Sequence, residues 1–393
     1  MARNVVIASG VRTAIGDFGG SLAGVSPCDL GAEVAREAIS RAGCQGSDIQ
    51  QSVFGNVIHT APEDMYLGRV AAMRAGVPET SPALTLNRLC GSGLQAVVSA
   101  SEQVMLGNAD IVLAGGAESM SRSGHLITSG RFGQKMGDVS AVDMMLGALN
   151  DPFGNGHMGI TAENVAERSN IDRSAQDAFS VESHRRAAAA IEAGFFKEQI
   201  LPLEVRKGRA QVVFDTDEHV RPGVTLEDMA KLRPAFRKDG TVTAGNASGI
   251  NDGAAAVVLM EETVAESRGA KPLARIVSYG LGGVAPEVMG MGPVPASLQA
   301  LERAGLSAGD LDVVESNEAF AAQACAVTKD LGLDPKKVNP NGGAVALGHP
   351  VGASGTIILV KLIHELQRVE GRYGLATMCI GGGQGIAVIV ERM

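Results

Sequence analysis

Residues 29–57 read DLGAEVAREAISRAGCQGSDIQQSVFGNV, and residues 293–320 read PVPASLQALERAGLSAGDLDVVESNEAF. In both stretches an amphipathic helical pattern ends at Arg-Ala-Gly, and a glycine after a periodic apolar run is a helix stop. A short turn with Asp48 or Asp310 follows, and an apolar strand comes next. Self-similarity over so long a period predicts two duplicated halves rather than a short-repeat solenoid.

A second pair of similar stretches supports the duplication. GNASGINDGAAAVVLMEE begins at Gly245 and CIGGGQGIAVIVERM begins at Cys379, and each is a glycine-rich turn that leads into an apolar strand. Helical and strand patterns also alternate within each half, as in the helical run 94–106 and the apolar run 111–114. This alternation predicts an α/β fold with mixed sheets covered by helices.

One long segment interrupts the pattern. Residues from about 119 to 249 are first rich in glycine and methionine, then strongly helical over 174–193, and then polar. We interpret this segment as a loop domain inserted into the first half. The predicted division is therefore a first half over residues 1–268, which includes the insertion, and a second half over residues 269–393.

The composition excludes several classes of function. The 393 residues carry a net charge of −9, only 3% are aromatic and none is Trp, so a nucleic-acid partner is not expected. No long uncharged apolar stretch predicts a membrane span. Without a signal-like start or an address tag at the end, we expect a cytoplasmic protein. The five cysteines are odd in number and form no CxxC pair, so neither a disulfide framework nor a metal site is expected.

Cys90 is the first candidate for chemistry. It lies in NRLCGSG, directly before the predicted helix 94–106. A cysteine at a helix N-terminus meets free N–H groups and the positive end of the helix dipole, which favour the reactive thiolate. Gly91 and Gly93 are expected to permit a tight turn and the close approach of a substrate. The alternative is that Cys90 is a small buried apolar residue.

Three further residues stand in comparable settings. His349 lies in a constrained turn between Gly348 and Pro350, where a general base would be well positioned, although it could also be an exposed loop residue. Cys379 enters a glycine turn that could offer N–H groups to an oxyanion, or it could be a core cysteine. Asn317 follows a strand, and it could cap a helix or hold a water in a site.

Several motifs occur in order along nearly the whole chain, namely NRLCGSG, GGAESMS, HMGITAENVA, KLRPAF, TAGNASGINDGAA, NEAF, NPNGGAVALGHPVGASG and CIGGGQG. In this order they resemble the thiolase family, and most closely its bacterial acetyl-CoA acetyltransferases and β-ketothiolases that feed polyhydroxyalkanoate synthesis. The resemblance implies two similar α/β halves packed as five layers, α-β-α-β-α, with a loop domain inserted in the first. It also implies a homotetramer, a dimer of dimers, which uses coenzyme A as substrate and product and needs no cofactor.

The same resemblance implies a reversible Claisen condensation of acetyl-CoA with acetyl-CoA or another short acyl-CoA. Cys90 matches the acylated nucleophile, His349 the base that takes its proton, and Cys379 the acid/base that removes an α-proton. Asn317 matches the residue whose water forms the first oxyanion hole with His349. The backbone N–H groups of Cys90 and Gly381 match the second oxyanion hole.

The family binds CoA largely through its loop domain, so contacts with acyl-CoA can be transferred by position. Glu227 and Asp228 stand where many members have a serine, and that contact is not transferred. The transferred contacts are Arg221 near the adenine, Ser248 near the pantetheine, and His157, Met158, Met289 and Phe320 along the acyl and pantetheine channel.

Four alternatives remain at this point. A degradative 3-ketoacyl-CoA thiolase of fatty-acid β-oxidation would have the same active site. A ketoacyl synthase usually pairs its cysteine with two histidines, whereas this chain has Cys379 at the third position. A non-enzymatic, thiolase-like lipid-binding protein typically lacks one of the catalytic residues. Residues 91–96 fit the G-x-G-x-x-A pattern of a nicotinamide-dependent dehydrogenase, but these glycines should directly follow a strand.

Overall fold

A computed structural model describes residues 3–393 of the chain. No helix in this range is both long enough and apolar enough to cross a membrane. The strands are β1 (Val5–Thr13), β2 (Gly16–Asp17), β3 (Gln51–Gly55), β4 (Ala83–Leu86), β5 (Ile111–Ser119), β6 (His125–Leu126), β7 (Val142–Asp143), β8 (Asn150–Asp151), β9 (Gly156–His157), β10 (Ile200–Leu201), β11 (Leu203–Lys207), β12 (Ala210–Phe214), β13 (Asn251–Glu261), β14 (Ala274–Gly283), β15 (Val313–Ser316), β16 (Tyr373–Ile380) and β17 (Gln384–Arg392).

The helices are α1 (Pro27–Arg41), α2 (Leu67–Arg74), α3 (Ser92–Met105), α4 (Met144–Leu149), α5 (Met158–Ser169), α6 (Arg173–Glu192), α7 (Leu226–Ala230), α8 (Glu262–Ser267), α9 (Pro293–Ala304), α10 (Ala321–Asp330), α11 (Ala344–Leu347) and α12 (Ser354–Arg368). Short 3-10 helices cover Gly46–Asp48, Pro62–Tyr66, Met120–Arg122, Pro286–Met291 and Ala308–Asp310. The helix predicted at 94–106 thus begins two residues earlier, and the strand predicted at 111–114 continues to Ser119.

The two halves have the same strand order. In the first half the order is β4-β3-β5-β13-β1, and in the second half β15-β16-β17-β14 follows the same plan, with Val338 bridging to β15 in place of β4. In the first half β4–β3 and β3–β5 are parallel, and β5–β13 and β13–β1 are antiparallel. In the second half β15–β16 is parallel, and β16–β17 and β17–β14 are antiparallel. The shared order and directions confirm the duplication predicted from the repeat.

The duplication extends to single hydrogen bonds. The pairing register shifts beside Ser9 in β1 and beside Ser278 in β14. The Ser9 hydroxyl donates to the Ala38 carbonyl at 2.6 Å, and the Ser278 hydroxyl donates to the Ala300 carbonyl at 2.7 Å. The bulge in β1 therefore connects that strand to the C-terminal turn of α1, and the bulge in β14 connects that strand to the C-terminal turn of α9.

The predicted helix stops and turns are present. α1 and α9 are each followed by a glycine in the left-handed region, Gly43 and Gly305, both with φ of 66°. Such a conformation is easiest for glycine, because it has no Cβ. Asp48 and Asp310 then accept hydrogen bonds from backbone N–H groups three residues earlier, at 2.7 and 2.8 Å. The local chemistry of the repeat therefore sets both connections.

The helices and sheets form five layers. α1 and α2 cover the outer face of the first sheet, and α9 covers the outer face of the second. α3 and α12 lie between the sheets and contact each other and strands of both halves. They cross closely at their starts, because a Cβ on Gly93 would lie 2.8 Å from the Thr356 nitrogen and a Cβ on Gly355 would lie 2.2 Å from the Leu94 nitrogen. The predicted α-β-α-β-α architecture is confirmed.

The segment between β5 and β13 holds α4 to α7 and three small two-stranded ribbons. A buried ion pair attaches it to β1, since the Arg12 guanidinium lies 2.7 Å from the Asp217 carboxylate. Gln199 also accepts from Arg12 at 2.8 Å. The insertion is therefore fixed against the first sheet, and the division of the chain at residues 268 and 269 stays a prediction.

Candidate active site

Most of the predicted site residues line one narrow pocket of about 60 Å³. Residues of the first half, the insertion and the second half all contribute to its wall, so the pocket forms only when the halves pack together. The predicted residues on its wall are Cys90, His157, Met158, Ser248, Met289, Phe320, His349, Cys379 and Gly381.

Two predicted residues lie outside this pocket. Asn317 lines a small adjoining cavity together with Gly348 and Ser354. Arg221 is exposed, and its backbone N–H donates to His184 Nδ1 at 3.2 Å. The structure does not bring Arg221 to the other site residues, and its predicted contact with the adenine of CoA stays a prediction. The described part of the chain shows no group of three or more His, Cys, Asp or Glu residues that could hold a metal ion.

A larger cleft of about 570 Å³ lies between α6 and α10. It contains none of the predicted site residues, and its polar floor is formed by Glu318 and Asn339. The narrow pocket, although smaller, is where the nucleophile and base candidates meet. We therefore assign the chemistry to the narrow pocket.

Cys90 lies in a tight turn between β4 and α3. The preceding residue, Leu89, has a positive φ of 47°, and Gly91 is the N-cap of α3. A Cβ on Gly91 would lie 2.5 Å from the Ile380 side chain, and Gly93 packs on the start of α12. The tight turn is present and protein atoms fill the Cβ side of both glycines. The close approach of a substrate stays a prediction.

The surroundings of Cys90 oppose the thiolate that the helix N-terminus favours. Burial raises the pKa of the Cys90 thiol to about 11, although hydrogen bonds from the N–H groups of Gly381 and Cys90 itself act in the opposite direction. The loss of hydration therefore outweighs the helix N-terminus. Cys90 rests as a neutral thiol and needs a base to become a nucleophile.

His349 is a base of fixed orientation. Its Nδ1 lies 2.6 Å from the Ser354 hydroxyl, which in turn donates its single hydrogen to the Pro350 carbonyl at 2.8 Å. We assign that hydrogen to Pro350 and the ring proton to Nδ1, which leaves the Nε2 lone pair free. Nε2 is buried and has no hydrogen-bond partner among residues 3–393. Burial lowers the pKa of His349 to about 4, so the ring is neutral.

Cys379 is buried and is the last residue but one of β16. Burial raises the pKa of its thiol, and the neighbouring Cys90 raises it further. Gly381 follows in the turn to β17, and a Cβ there would lie 2.9 Å from Met158 Cε. The pocket therefore holds two neutral thiols beside the neutral imidazole of His349.

Asn317 does not cap a helix. α10 begins at Ala321 with Phe320 at its N-cap, so Asn317 lies one turn too early. Its backbone N–H extends the pairing of β15 by donating to the Thr377 carbonyl at 2.9 Å. Its Nδ2 is buried and has no hydrogen-bond partner within the described residues. An unpaired amide donor is thus available behind the pocket.

The channel wall contains a fixed histidine. His157 Nδ1 accepts from the Gly159 N–H at 3.0 Å, and the ring stacks on Phe236 with centroids 4.7 Å apart. Burial lowers the pKa of His157, so the ring is neutral and its Nε2 carries the hydrogen. Phe236 in turn meets Phe320 edge-on at 6.1 Å. Phe236 lies within the KLRPAF motif, but no sequence signal assigned it this contact.

Two more contacts were not foreseen in the sequence. Ser354 orients the base, and Asn251 accepts from the His349 backbone N–H at 2.9 Å. Both lie within quoted motifs. The acidic pair also has a partial explanation, because Asp228 accepts from the Thr225 hydroxyl at 2.7 Å and caps α7.

Comparison with known proteins fits this geometry. The family described as Thiolase, N-terminal domain, matches residues 5–263, and Thiolase, C-terminal domain, matches residues 270–392. The chain belongs to the thiolase family. It is 64% identical over 394 residues to Beta-ketothiolase BktB of Cupriavidus necator, covering 100% of both chains. It is 52% identical to the Acetyl-CoA acetyltransferase of Chromobacterium violaceum, covering 99% of both.

Solved structures agree with this membership. Human mitochondrial 3-ketoacyl-CoA thiolase matches this thiolase with a TM-score of 0.98 and 44% identity, over 100% of this chain and 99% of that one. The Bacillus anthracis acetyl-CoA acetyltransferase matches with a TM-score of 0.97 and 46% identity, over the same shares. The resemblance is confirmed, and a nicotinamide-dependent dehydrogenase is excluded, since the glycines at 91–93 follow a turn and begin α3 without binding room.

Proposed function

We propose that this thiolase is an acetyl-CoA C-acyltransferase. It would condense acetyl-CoA reversibly with acetyl-CoA or another short acyl-CoA, giving a 3-ketoacyl-CoA and free CoA. The observation that carries the proposal is that two thiols, Cys90 and Cys379, and the free Nε2 lone pair of His349 meet in one narrow pocket. The relatives named β-ketothiolase and acetyl-CoA acetyltransferase support it.

The first half-reaction would transfer an acetyl group to Cys90. His349 Nε2 takes the Cys90 proton while the sulfur attacks the thioester carbonyl, and the tetrahedral intermediate then expels CoA thiolate. Cys379 can protonate this leaving group, because its raised pKa keeps it a thiol until a strong base appears. The products are acetyl-Cys90, free CoA, a protonated His349 and a Cys379 thiolate.

The second half-reaction would form the carbon–carbon bond. The Cys379 thiolate removes an α-proton from a second acetyl-CoA, and the protonated His349 donates to the enolate oxygen. The enolate carbon attacks acetyl-Cys90, its carbon–sulfur bond breaks, and the Cys90 sulfur takes the proton of His349. All three side chains return to their neutral forms. Two thiols are needed, since one is esterified when the other must act as base.

Each charged intermediate would have its own donors. The N–H groups of Cys90 and Gly381 act to lower the pKa of the Cys90 thiol, and they are the pair predicted for the tetrahedral intermediate. Asn317 Nδ2 is a buried, unpaired donor in the adjoining cavity, and Asn317 is the residue predicted to hold the water of the first oxyanion hole. Donors held in place before reaction are usually the largest contribution to such catalysis.

The direct test is cleavage of acetoacetyl-CoA with free CoA, followed by chromatographic detection of acetyl-CoA. We expect activity in EDTA-treated enzyme without added metal. Labelled acetyl-CoA should also acetylate Cys90 in the absence of a second substrate. Activity that EDTA abolishes and zinc restores, or label on another residue, would contradict the proposed mechanism.

A degradative 3-ketoacyl-CoA thiolase is the second candidate. The match to the human mitochondrial 3-ketoacyl-CoA thiolase favours it, while the higher identity to the bacterial β-ketothiolase favours the biosynthetic role. A kinetic series of 3-ketoacyl-CoA substrates from four to ten carbons separates them. A preference for the shortest substrates supports supply of precursors for polyhydroxyalkanoate synthesis, and a preference for long ones supports fatty-acid degradation.

We also propose a homotetramer in the cytoplasm. Phe132 and Met136 are 90% and 88% exposed in the segment before α4, and an apolar surface of this kind favours contact between subunits. All five cysteines are free thiols, which suits a reducing compartment. Light scattering after size-exclusion chromatography should give the mass of four chains, and replacing Phe132 and Met136 with serine should lower it.

A further inference from the structure

The turn that carries His349 is held by one buried side chain of the first half. Asn251, the first residue of β13, is fully buried. Its Oδ1 accepts from the His349 backbone N–H at 2.9 Å, and its Nδ2 donates to the Gly16 carbonyl at 3.1 Å and to Asp17 Oδ1 at 3.3 Å. The turn of His349, in the second half, is thereby attached to the start of β13 in the first half, where the inserted segment ends.

The amide of Asn251 can adopt only one orientation. Its oxygen faces a donor, the His349 N–H, and its nitrogen faces two acceptors. In a flipped amide Nδ2 would face the His349 N–H, which is also a donor. Oδ1 would face the Gly16 carbonyl and the Asp17 carboxylate, which are also acceptors. The hydrogen-bond partners therefore fix the orientation. Asp17 is itself held, since its Oδ1 lies 2.5 Å from His219 Nδ1.

The contact leaves little freedom at the turn. Gly348 has a φ of 108°, and a Cβ there would lie 2.5 Å from the Asn251 Cγ. His349 is thus fixed at two points, its backbone by Asn251 and its ring by Ser354. Without the first contact, the ring would keep its tautomer but could move relative to the Cys90 sulfur.

We propose that Asn251 is a positioning residue for the proton transfer between Cys90 and His349. It is not part of the pocket wall, and it acts by setting the position of the His349 backbone. The inference rests on the proposed function of His349 as base. A misplacement of about 1 Å can cost a reaction on the order of 10²-fold, so removing Asn251 should lower kcat and leave KM nearly unchanged.

The chain provides a closely matched control. Asn246 is also fully buried, its Oδ1 accepts from the Thr243 N–H at 2.7 Å, and its Nδ2 donates to the Thr241 carbonyl and to Asp177 Oδ1. Asn246 and Asn251 therefore each bind one backbone N–H, one backbone carbonyl and one aspartate. They differ in that Asn246 has no contact with His349.

The experiment compares Asn251→Ala with Asn246→Ala in acetoacetyl-CoA thiolysis, with rates divided by the amount of Cys90 that iodoacetamide can titrate. We expect similar losses in melting temperature, but a fall in kcat of about 10- to 100-fold for Asn251→Ala alone, with KM within about threefold of wild type. Hydrogen exchange at the His349 amide should accelerate in Asn251→Ala and not in Asn246→Ala. Equal kcat losses in both variants, or none in Asn251→Ala, overturn the proposal.

If Asn251→Ala does not fold, Asp17→Ala decides. The Asp17 side chain is 43% exposed, and its removal takes one of the two acceptors from Asn251 Nδ2. A fall in kcat of threefold or more at unchanged KM supports the proposal, and wild-type kcat overturns it. Failure of the proposed function is seen separately, since wild-type enzyme would then be inactive while amide exchange at His349 still reports the contact.

Discussion

Ser354→Ala should slow the enzyme by changing the tautomer of its base. In the native site the Ser354 hydroxyl accepts from His349 Nδ1 at 2.6 Å, and that bond keeps the proton away from Nε2. Alanine would leave a buried N–H at Nδ1 without an acceptor. Since Nε2 has no partner either, the ring would lose its preference between tautomers, and the form whose Nε2 carries a proton cannot take one from Cys90.

The size of the effect follows from the cost of the unsatisfied donor. A buried donor without a partner costs about 1–3 kcal/mol, and about 1.4 kcal/mol corresponds to a factor of ten in population. This cost falls on both neutral tautomers, so the reactive one becomes only about twofold rarer. The positively charged ring formed in the reaction loses more, because a hydrogen bond to a charged group exceeds a neutral one by about 1 kcal/mol, and the combined slowing should be roughly tenfold. Acetylation of Cys90 and kcat should fall by the same factor, while KM should change little because Ser354 is outside the substrate channel.

Single-turnover acetylation with labelled acetyl-CoA measures this directly. Ser354→Thr should recover most of the rate, because it restores a hydroxyl at the same position. Ser180→Ala is the matched control, since the buried Ser180 hydroxyl likewise donates to the carbonyl four residues earlier, at 2.9 Å, but touches no imidazole. If Ser354→Ala acetylates at the wild-type rate, or if Ser180→Ala slows it equally, the tautomer argument is wrong.

Three further outcomes test the division of roles in the pocket. Cys379→Ala should still acetylate Cys90, more slowly, but should lose α-proton exchange with deuterated water and net condensation by ~10²-fold or more; normal condensation contradicts this. Met158→Ala should raise relative activity on 2-methylacetoacetyl-CoA by removing ~1–3 kcal/mol of discrimination, and an unchanged ratio would place Met158 away from the acyl group. Iodoacetamide should label Cys90 faster than the other cysteines, with a rate that keeps rising up to pH 10, because its pKa is raised to about 11; a plateau near pH 8.5 argues for a normal thiol.

The fold could be predicted because its signals are local. Helix stops at Gly43 and Gly305, the aspartates after them and the apolar periodicity are properties of short stretches, and the structure repeats them in both halves. The meeting of Cys90, His349 and Cys379 was predicted by resemblance, since no local pattern places residues so distant in sequence in one pocket.

The physical state of the site could not be predicted in this way. The helix N-terminus before α3 is a local feature and indicates a thiolate, but the burial that raises the pKa of Cys90 depends on contacts from the second half. The contact of Ile380 with the Cβ side of Gly91 likewise depends on the second half. The hydrogen bond between Ser354 and His349 could not be predicted from a local pattern either. The pKa values and the packing inside the pocket depend on contacts between residues that are distant in sequence.

The internal repeat predicts the fold but not the reactive residues, because the reactive residues occur in only one of the two matched positions. Matching Asp48 to Asp310 also matches the starts of α3 and α12, at Ser92 and Ser354, and the reciprocal contacts of Gly93 and Gly355 show that these starts are related by a pseudo-twofold axis. Under the same matching, each reactive residue has a partner that cannot do its work: Cys90 corresponds to Gly352, His349 to Asn87, Cys379 to Ala117 and Asn317 to Gly55.

Of the two sets of positions related by the axis, only one carries reactive residues. The active one takes its nucleophile from the first half and its base, second thiol and amide from the second half. The glycine helix stops and the aspartates after them are shared by the two halves, whereas the four reactive residues are not. A self-comparison of the sequence consequently detects these structural signals and passes over the active site, because most aligned positions differ and a mismatch does not single out a reactive residue.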